Sequence, residues 1–391
     1  MTHTQSTRVR RRLAAIAISS ATTFAMIPVA VPASAIDSSN ALAMLVANKR
    51  PVARFEGPTV ISPPGLWLTS AVVYLSARTR DRDPFAPQGP ERRDGLLDLA
   101  KAMGYSEKPT HDRVLSDALQ LKSLAGDSRV AIQLWTVQNA ERGETSRAEL
   151  ARLGVSVVEH AMDRTNKSQM SAWLSDHSHG AFPAIGGEVR ALSTDVLFTA
   201  VEHQLTFPSS SREASVVAPS IIPTAAGGVA SLPGRAISYF SDTPDITGIE
   251  IEAASGRFFL FTGSSDNLQR MLDGISVPRW AEIKSRFKTR PGRIVDSFVA
   301  QSAYDFFSFA RLENSTVWGG SAVSALQRGS INFDSDKIDL VAATEFAAAG
   351  CCADYVVNPR TESQFQWSLL RPLVFIDEAP NGLIMFLGYR F

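Results

Sequence analysis

Two apolar segments at the end of the chain decide the fold: Arg371-Pro372-Leu373-Val374-Phe375-Ile376 and Gly382-Leu383-Ile384-Met385-Phe386-Leu387-Gly388. Short runs of β-branched, aromatic and aliphatic residues are typical of strands that are buried on both faces. Pro380-Asn381-Gly382 lies between them, and an Asn-Gly pair favours a tight turn. The sequence therefore predicts a buried antiparallel hairpin at the C terminus.

A segment of small residues lies upstream of this hairpin. It reads Glu345-Phe346-Ala347-Ala348-Ala349-Gly350-Cys351-Cys352-Ala353, and Glu345 lies 27 residues before Pro372. A segment can enter an existing sheet as a new strand only if its inward-facing residues are uncharged and small. Ala348, Gly350 and Cys352 meet this condition, so we expect this segment to be able to join a sheet.

Helices and strands interleave along the rest of the chain. Asn40 is expected to cap the first helix, and apolar residues recur at helical spacing over residues 42–46, 66–77, 95–103, 168–174 and 268–275. Strand patterns occur over residues 130–137 and 155–158, and a hairpin is predicted over residues 249–261. Because no regular βα repeat is present, the pattern favours a mixed α+β domain.

The N terminus has the features of a secretory signal peptide. Arginines at positions 8, 10, 11 and 12 precede an apolar run over residues 13–31, and Ala33-Ser34-Ala35 follows as a small-residue cleavage site. Prolines in and after the apolar run favour cleavage over a membrane anchor. We predict that residues 1–35 are removed and that residues 36–391 form a single domain, which is extracellular or, in a bacterium, periplasmic.

The composition of the chain argues against nucleic-acid binding and against a disulfide-stabilised fold. The chain has 39 basic and 39 acidic residues, and four of the basic ones lie in the predicted signal peptide, so the exported part has a formal net charge of −4. This balance does not favour nucleic acid as a partner. The only cysteines, Cys351 and Cys352, are adjacent. A bridge between neighbouring residues is strained, so we expect no structural disulfide.

The order of these segments resembles that of the serpin family, over nearly the whole exported chain. Ile61-Ser62-Pro63 with its following helix resembles the family's opening segment, and Ser171-Ala172-Trp173 through His179-Gly180 resembles its tryptophan-containing helix end. Residues 194–207 resemble the next strand, and the C-terminal hairpin is the most specific match. The resemblance implies an α+β fold, in which helices pack on a large central mixed β-sheet with smaller accessory sheets and an exposed reactive loop at about residues 345–364.

The resemblance also implies a function. A serpin is a suicide substrate: a protease is acylated at the exposed loop, and the cleaved loop then enters the sheet and distorts the protease. Counting from Pro372 in the family's manner places the reactive bond within residues 358–362, where Arg360-Thr361 is the only bond that follows a basic residue. This bond predicts a trypsin-like serine protease as the partner, and the alternative is that Arg360 is a solvated charge in a polar loop. Such a monomeric inhibitor is no enzyme and needs no cofactor or membrane. The residues that resemble the family's loop hinge are Glu345, Ala347, Ala348, Ala349, Gly350, Cys351, Cys352 and Ala353.

Several positions depart from the inhibitory pattern of the family. In the region that controls sheet opening, Ser62 and Thr199 are the candidate residues, but Thr199 stands in place of an asparagine and Gly65 in place of a second serine. Lys337 lies near the place of a family histidine, and the bulky Phe346 follows the hinge glutamate. These departures leave open an alternative, a non-inhibitory binding protein on the same scaffold.

Three further chemistries were weighed. A secreted hydrolase is a remote alternative, since the chain has no Gly-x-Ser-x-Gly motif. Asp176-His177-Ser178-His179 contains potential metal ligands, but no second ligand cluster accompanies it, and we predict a structural turn. Cys351 and Cys352 are expected to serve as small hinge residues, and the alternative is that their oxidation blocks loop insertion.

Overall fold

Fifteen strands and eight helices form the described part of the chain. The computed structural model describes residues 35–48, 59–76, 93–126, 128–137, 144–160, 167–185, 193–206, 236–243, 246–291, 298–305, 310, 315–317, 320–333, 337–349 and 372–391. All of these belong to one compact unit, Ala33–Phe391. No helix among them is long and apolar enough to cross a membrane. The predicted signal peptide lies outside them apart from Ala35, so its cleavage stays a prediction.

The elements alternate irregularly, which confirms the α+β prediction. The helices are α1 (Ala35–Asn48), α2 (Pro63–Leu75), α3 (Gly95–Ala102), α4 (His111–Leu124), α5 (Glu144–Arg152), α6 (Lys167–His177), α7 (Ser265–Asp273) and α8 (Val277–Ser285). The strands are β1 (Thr59–Ile61), β2 (Arg93–Asp94), β3 (Arg129–Val137), β4 (Val155–His160), β5 (Ser193–Thr206), β6 (Ala236–Thr243), β7 (Ile246–Ala253), β8 (Gly256–Gly263), β9 (Lys288–Pro291), β10 (Phe298–Asp305), β11 (Ser315–Val317), β12 (Gly320–Phe333), β13 (Lys337–Ala349), β14 (Leu373–Glu378) and β15 (Ile384–Arg390).

The larger sheet, called here the central sheet, has eight strands. Their order is β2-β11-β12-β13-β5-β3-β4, and β10 also pairs with β12. Parallel pairing occurs between β3 and β4 and between β2 and β11, and the other pairs are antiparallel. The central sheet is therefore mixed, as predicted. Its three longest strands, β12, β13 and β5, lie side by side.

The second sheet contains the predicted C-terminal hairpin. Its seven strands follow the order β1-β15-β14-β8-β7-β6-β9, and every pair is antiparallel. Ile376 of β14 lies opposite Leu387 of β15 and Phe259 of β8. All residues of β14 are buried. The hairpin is confirmed, and its apolar character follows from burial on both faces.

Helix α2 is buried at every one of its 13 residues. Its start is fixed locally, because the Ser62 hydroxyl accepts a hydrogen bond from the Gly65 N–H and prolines occupy the first positions. Inside the helix, Thr69 and Ser70 donate their hydroxyls to backbone carbonyls one turn earlier. A helix that is apolar nearly all round must lie in the core.

The prediction for the first helix was wrong at its start. The helix begins at Ala35, so Asn40 lies inside it and is not a cap. The Asn40 amide instead donates to the Gly382 carbonyl (2.9 Å) and accepts from the Ile384 N–H (2.8 Å). Asn40 therefore joins α1 to the turn of the C-terminal hairpin.

The two sheets approach each other closely where β12 passes β1. A Cβ atom on Gly329 would lie 2.1 Å from the Val60 carbonyl oxygen, a distance that no side chain can occupy. Only glycine allows this backbone-to-backbone approach.

A buried ion pair also links the sheets. Nδ1 of His203 on β5 lies 2.6 Å from Asp377 Oδ2 on β14, and the two side chains are 2 % and 0 % exposed. His203 Nε2 lies 3.1 Å from the Ser255 carbonyl, which can only accept, so Nε2 carries a proton and donates it. The pKa of Asp377 lies above its ordinary value, chiefly because the carboxyl group is buried. The charge and hydrogen bond of His203 lower this pKa in part, and the neighbouring Glu378 raises it.

We predict that His203→Asn lowers the free energy of unfolding by about 3–5 kcal/mol, because it leaves a buried carboxylate without its partner. Without His203 the pKa of Asp377 rises further, so the folded state binds a proton more tightly than the unfolded state does. The stability of the variant then falls as pH rises from the pKa of Asp377 in the unfolded state to its higher pKa in the folded state. The destabilisation is therefore smaller at pH 4.5 than at pH 8. Chemical unfolding at both pH values measures this.

His179→Asn is the matched control. His179 Nε2 lies 2.8 Å from Glu202 Oε2, but His179 is 53 % exposed, and its φ of 48° is one that asparagine tolerates. We expect a cost below about 1 kcal/mol. A His203→Asn cost that does not change with pH would contradict the role given to Asp377.

Candidate functional site: the central strand β13

Strand β13 lies in the middle of the central sheet. It pairs antiparallel with β12 along one edge and antiparallel with β5 along the other. Glu345, for example, lies opposite Leu326 of β12 and opposite Phe198 of β5. Both edges of the strand are therefore paired along almost its whole length.

The predicted loop hinge begins inside this strand. Glu345, Ala347, Ala348 and Ala349 belong to β13, so the expectation of an exposed loop from residue 345 is corrected, and the strand continues to Ala349. The physical reason is that residues 345–349 find backbone partners on both neighbouring strands. The other hinge and reactive-bond residues lie outside the described residues, and their roles stay predictions: Gly350, Cys351, Cys352, Ala353, Arg360 and Thr361.

The two faces of β13 pack on different helices. Residues at even positions, such as Leu340 and Ala348, join the core that contains α2. Residues at odd positions lie on the α6 side. Val341 and Ala343 pack with Leu174 of α6, and Ala347 belongs to a cluster that contains Met170 of the same helix. The strand is thus covered by helices on both faces.

A bulky residue fits within this strand. Phe346 is 0 % exposed and belongs to the main core cluster, although the sequence suggested that it would oppose burial of this segment. Its position on the α2 face explains the difference, because the core on that side has room for a large side chain.

A group of buried polar residues, called here the polar cluster, joins the start of α2 to strands β12 and β13. Gln327 of β12 accepts a hydrogen bond from the Ser62 N–H (2.7 Å) and donates to the Ser62 carbonyl (3.1 Å). The same amide nitrogen donates to Thr344 Oγ1 of β13 (2.8 Å). All three residues are 0 % exposed. One amide therefore connects the start of α2, β12 and β13.

Gly65 provides the space that Gln327 occupies. A Cβ atom at position 65 would lie 3.0 Å from Gln327 Nε2 and 3.2 Å from a methyl group of Val201. A serine at position 65 would therefore crowd the glutamine.

Of the two residues assigned to sheet opening, Ser62 lies in the polar cluster and Thr199 lies beside it. Thr199 of β5 is directly opposite Thr344, and its buried hydroxyl has no hydrogen-bond partner among the described residues. Lys337 lies elsewhere, at the start of β13, and pairs with Asp339 at 2.7 Å. Sequence analysis missed Gln327, because it is separated from Ser62 by 265 positions and no local motif marks it.

An ion pair lies on the α6 face of β13. The Glu345 carboxylate, 2 % exposed, pairs with the Arg328 guanidinium, 16 % exposed, on β12. The guanidinium carbon also lies 5.1 Å from the centre of the Phe182 ring. Glu345 is thus a charged residue in the middle of a sheet, with its partner on the neighbouring strand.

The two histidines at the C-terminal end of α6, His177 inside the helix and His179 just after it, have structural contacts. The His177 ring stacks on Trp173 with ring centres 4.2 Å apart, and His179 faces Glu202. No group of three or more potential metal ligands occurs in the part of the chain that the structure describes. These contacts agree with the predicted structural turn.

The chain is similar in structure to several serpins. Latent tengpin, a thermophilic serpin, superposes with a TM-score of 0.64 at 14 % identity over 91 % of this chain and 97 % of that one. A loop-inserted, cleaved ovalbumin mutant gives 0.66 at 11 % identity, over 91 % and 99 %. Thyroxine-binding globulin in complex with a thyroxine derivative gives 0.63 at 9 % identity, over 80 % and 98 %.

Sequence comparison alone finds none of this. No family model matches the chain, and no curated protein sequence does. The similarity lies in the arrangement of the strands and helices over most of the chain, which confirms the resemblance noted from the sequence. The chain has the serpin fold, in a sequence-divergent form.

Proposed function

We propose that the chain is a secreted protease inhibitor that acts as a suicide substrate, and not an enzyme. The observation that supports this most directly is the position of β13 between β12 and β5. In this proposal β13 is the inserted first part of the reactive loop, which continues through the 22 residues that separate Ala349 from Pro372. Serpin loop insertion is a known case of strand addition to a sheet.

The strand directions allow β13 to be an added strand. Because β12 and β5 are both antiparallel to β13, they run parallel to each other. If β13 left, β12 and β5 could close the gap as a parallel pair, and their backbone groups would remain satisfied. Two of the similar structures are described as latent and loop-inserted serpins, which agrees with β13 as an inserted strand.

The side chains of β13 suit entry into a sheet. Ala342, Ala343, Ala347 and Ala348 are small and nearly fully buried. Small residues pass between neighbouring strands without displacing the cover on either face. Burial of the larger Leu340 and Phe346 adds a hydrophobic gain of about 1.5–3 kcal/mol for each side chain, which favours the inserted state.

The partner follows from the proposed reactive bond. With Arg360 before the scissile bond and Thr361 after it, the target is a trypsin-like serine protease that meets the inhibitor outside the cell. Recognition uses only the loop, so no cofactor, nucleic acid or membrane is needed, and a monomer suffices.

We predict that the chain without residues 1–35, in the state that precedes insertion of β13, forms a covalent adduct with trypsin at near-equimolar ratio. The adduct survives boiling in detergent and migrates at the summed mass, because the acyl bond is trapped before hydrolysis. Denaturing gels detect it, and the mass of the released C-terminal peptide identifies the cleaved bond. The matched control is Arg360→Ser, which should abolish the adduct and leave the unfolding midpoint unchanged.

The opposite outcome supports the binding-protein alternative. Cleavage after Arg360 without an adduct, and without a rise in the melting temperature of the cleaved form, would contradict the inhibitor proposal. Labelling of a serine by a fluorophosphonate probe would instead favour a hydrolase.

We predict that Gln327→Ala lowers the free energy of unfolding by about 1–3 kcal/mol, because it leaves the buried Ser62 N–H without its acceptor, whereas the Ser62 carbonyl still accepts from the Leu66 N–H. It also frees Thr344, so β13 should become more accessible, which hydrogen exchange of residues 337–349 measures.

Gln204→Ala is the matched control for this variant. Gln204 on β5 donates to Asp339 of β13 at 2.6 Å, but on the exposed surface. We expect a change within about 0.5 kcal/mol. Equal effects of the two variants would mean that the polar cluster has no special role.

A further inference from the structure

The turn of the C-terminal hairpin contains the only Asn-Gly pair of the chain, Asn381-Gly382. The turn is closed by a hydrogen bond from the Gly382 N–H to the Ala379 carbonyl (2.9 Å), and the φ of Gly382 is 88°. Asn381 is exposed, and its Oδ1 accepts a hydrogen bond from the Leu383 N–H (3.0 Å). A Cβ atom at position 382 would meet no atom of a more distant residue within 4 Å. The backbone nitrogen that follows the Asn381 carboxamide is therefore not shielded by any side chain.

Asn381 also binds the end of a helix. Its Nδ2 donates to the carbonyl of Leu124, the last residue of α4, at 2.6 Å. Carbonyls in the last turn of a helix have no donor within the helix, and they lie at the negative end of the helix dipole. An amide group satisfies such a carbonyl, whereas a carboxylate can only accept hydrogen bonds and is repelled there. The contact with α4 therefore requires asparagine and not aspartate.

We propose that Asn381 is a site of spontaneous deamidation, and that this modification detaches α4 from the C-terminal hairpin. The Gly382 nitrogen loses its proton to solvent and forms a bond to Cγ of Asn381. The bond from Cγ to Nδ2 then breaks, and Nδ2 takes up a proton and leaves as ammonia. Water opens the resulting succinimide ring at either carbonyl, which gives aspartate or isoaspartate. Water is the only co-reactant, and no atom changes its oxidation state.

Hydrogen bonds of the turn control the rate of this reaction. The Gly382 N–H must leave the Ala379 carbonyl before its nitrogen can react, so the reaction proceeds from states in which the turn has opened. Asn40 of α1 opposes this opening, because it donates to the Gly382 carbonyl and accepts from the Ile384 N–H. Asn40 is 7 % exposed, so water competes poorly for these bonds. Packing of α1 on the hairpin therefore slows the modification.

The two products differ in their effect on the structure. Aspartate keeps the backbone of the turn, and its carboxylate can still accept from the Leu383 N–H, but it cannot donate to the Leu124 carbonyl. Isoaspartate lengthens the main chain by one carbon atom, which also displaces Gly382 from Asn40. Aspartate thus loosens α4, whereas isoaspartate loosens both α4 and α1.

Mass spectrometry tests the modification. The folded chain without residues 1–35 and a synthetic peptide of residues 374–388 are incubated in mildly alkaline buffer, and the replacement of NH2 by OH at residue 381 is followed. We expect conversion in both, slower in the folded chain by about 100-fold or less, because a few hydrogen bonds protect the turn. Asn40→Ala removes two of these bonds and should speed conversion of the folded chain by about 10-fold.

Gly382→Asn is the matched control. Asparagine tolerates a positive φ, so the turn is kept, but its side chain obstructs the attacking nitrogen. Conversion at residue 381 should become slower in the folded chain and in the peptide alike.

Hydrogen exchange tests the consequence for α4. Asn381→Asp should speed exchange of residues 121–126, at the end of α4, by about 10-fold, because the donor is lost and a charge is added at the negative end of the helix. Asn381→Ala removes the donor alone and should have an effect of about 3-fold. Asn267→Asp, in the first turn of α7, is the control and should leave this exchange unchanged.

Three results overturn the proposal. The first is an unmodified residue 381 in the folded chain after an incubation 100-fold longer than the one that converts the peptide. The second is equal conversion of the wild type and Gly382→Asn, which also decides the case if Asn40→Ala does not fold. The third is exchange of residues 121–126 that Asn381→Asp does not change. None of these measurements involves a protease, so their outcome is independent of the inhibitor proposal.

Discussion

The two-sided pairing of β13 is the constraint on which the rest of the molecule depends. A strand in the middle of a sheet must satisfy its backbone groups on both edges and bury both faces. β12 and β5 supply the edges, and α2 and α6 supply the covers. Because β12 and β5 are mutually parallel, the sheet is also compatible with the absence of β13. The same topology therefore satisfies β13 where it lies and is compatible with the loop insertion that we propose.

Contacts that hold the neighbours in place make this arrangement possible. Gln327 joins β12 to the start of α2, and His203 joins β5 to Asp377 in the second sheet. Both strands that border β13 are thus fixed to other parts of the molecule by buried polar groups. Separating one partner of such a contact leaves a buried polar group without a hydrogen bond, which costs free energy. These contacts therefore favour one arrangement of the strands. Gly65 belongs to this system only through the space that it leaves for Gln327.

The sequence predicted local features well and long-range ones poorly. The C-terminal hairpin and α2 are predictable because their apolar patterns match their burial, whereas β5 is predicted only by the resemblance to the serpin family. Residues 345–349 were assigned to a loop, since a run of alanines fits a loop or a strand equally well and only the neighbours decide. Asn40 was taken for a cap, although its partners are in the hairpin more than 340 positions away. No local sequence pattern marks Gln327, because its hydrogen bonds form only when the fold brings β12 beside Ser62.

The weak local preference of β13 gives the few distinctive side chains in it unusual influence. Hydrophobic burial of Leu340 and Phe346 favours the inserted position but acts on any compact arrangement, since it has no direction. A buried charge acts differently, because the ion pair of Glu345 with Arg328 offsets the cost of burying its carboxylate and has a direction. Apolar area thus favours burial of β13, and the ion pair with Arg328 favours the alignment that the structure shows. The fold is shared with serpins at 9–14 % identity, so most side chains that pack around this strand differ from those of the similar structures.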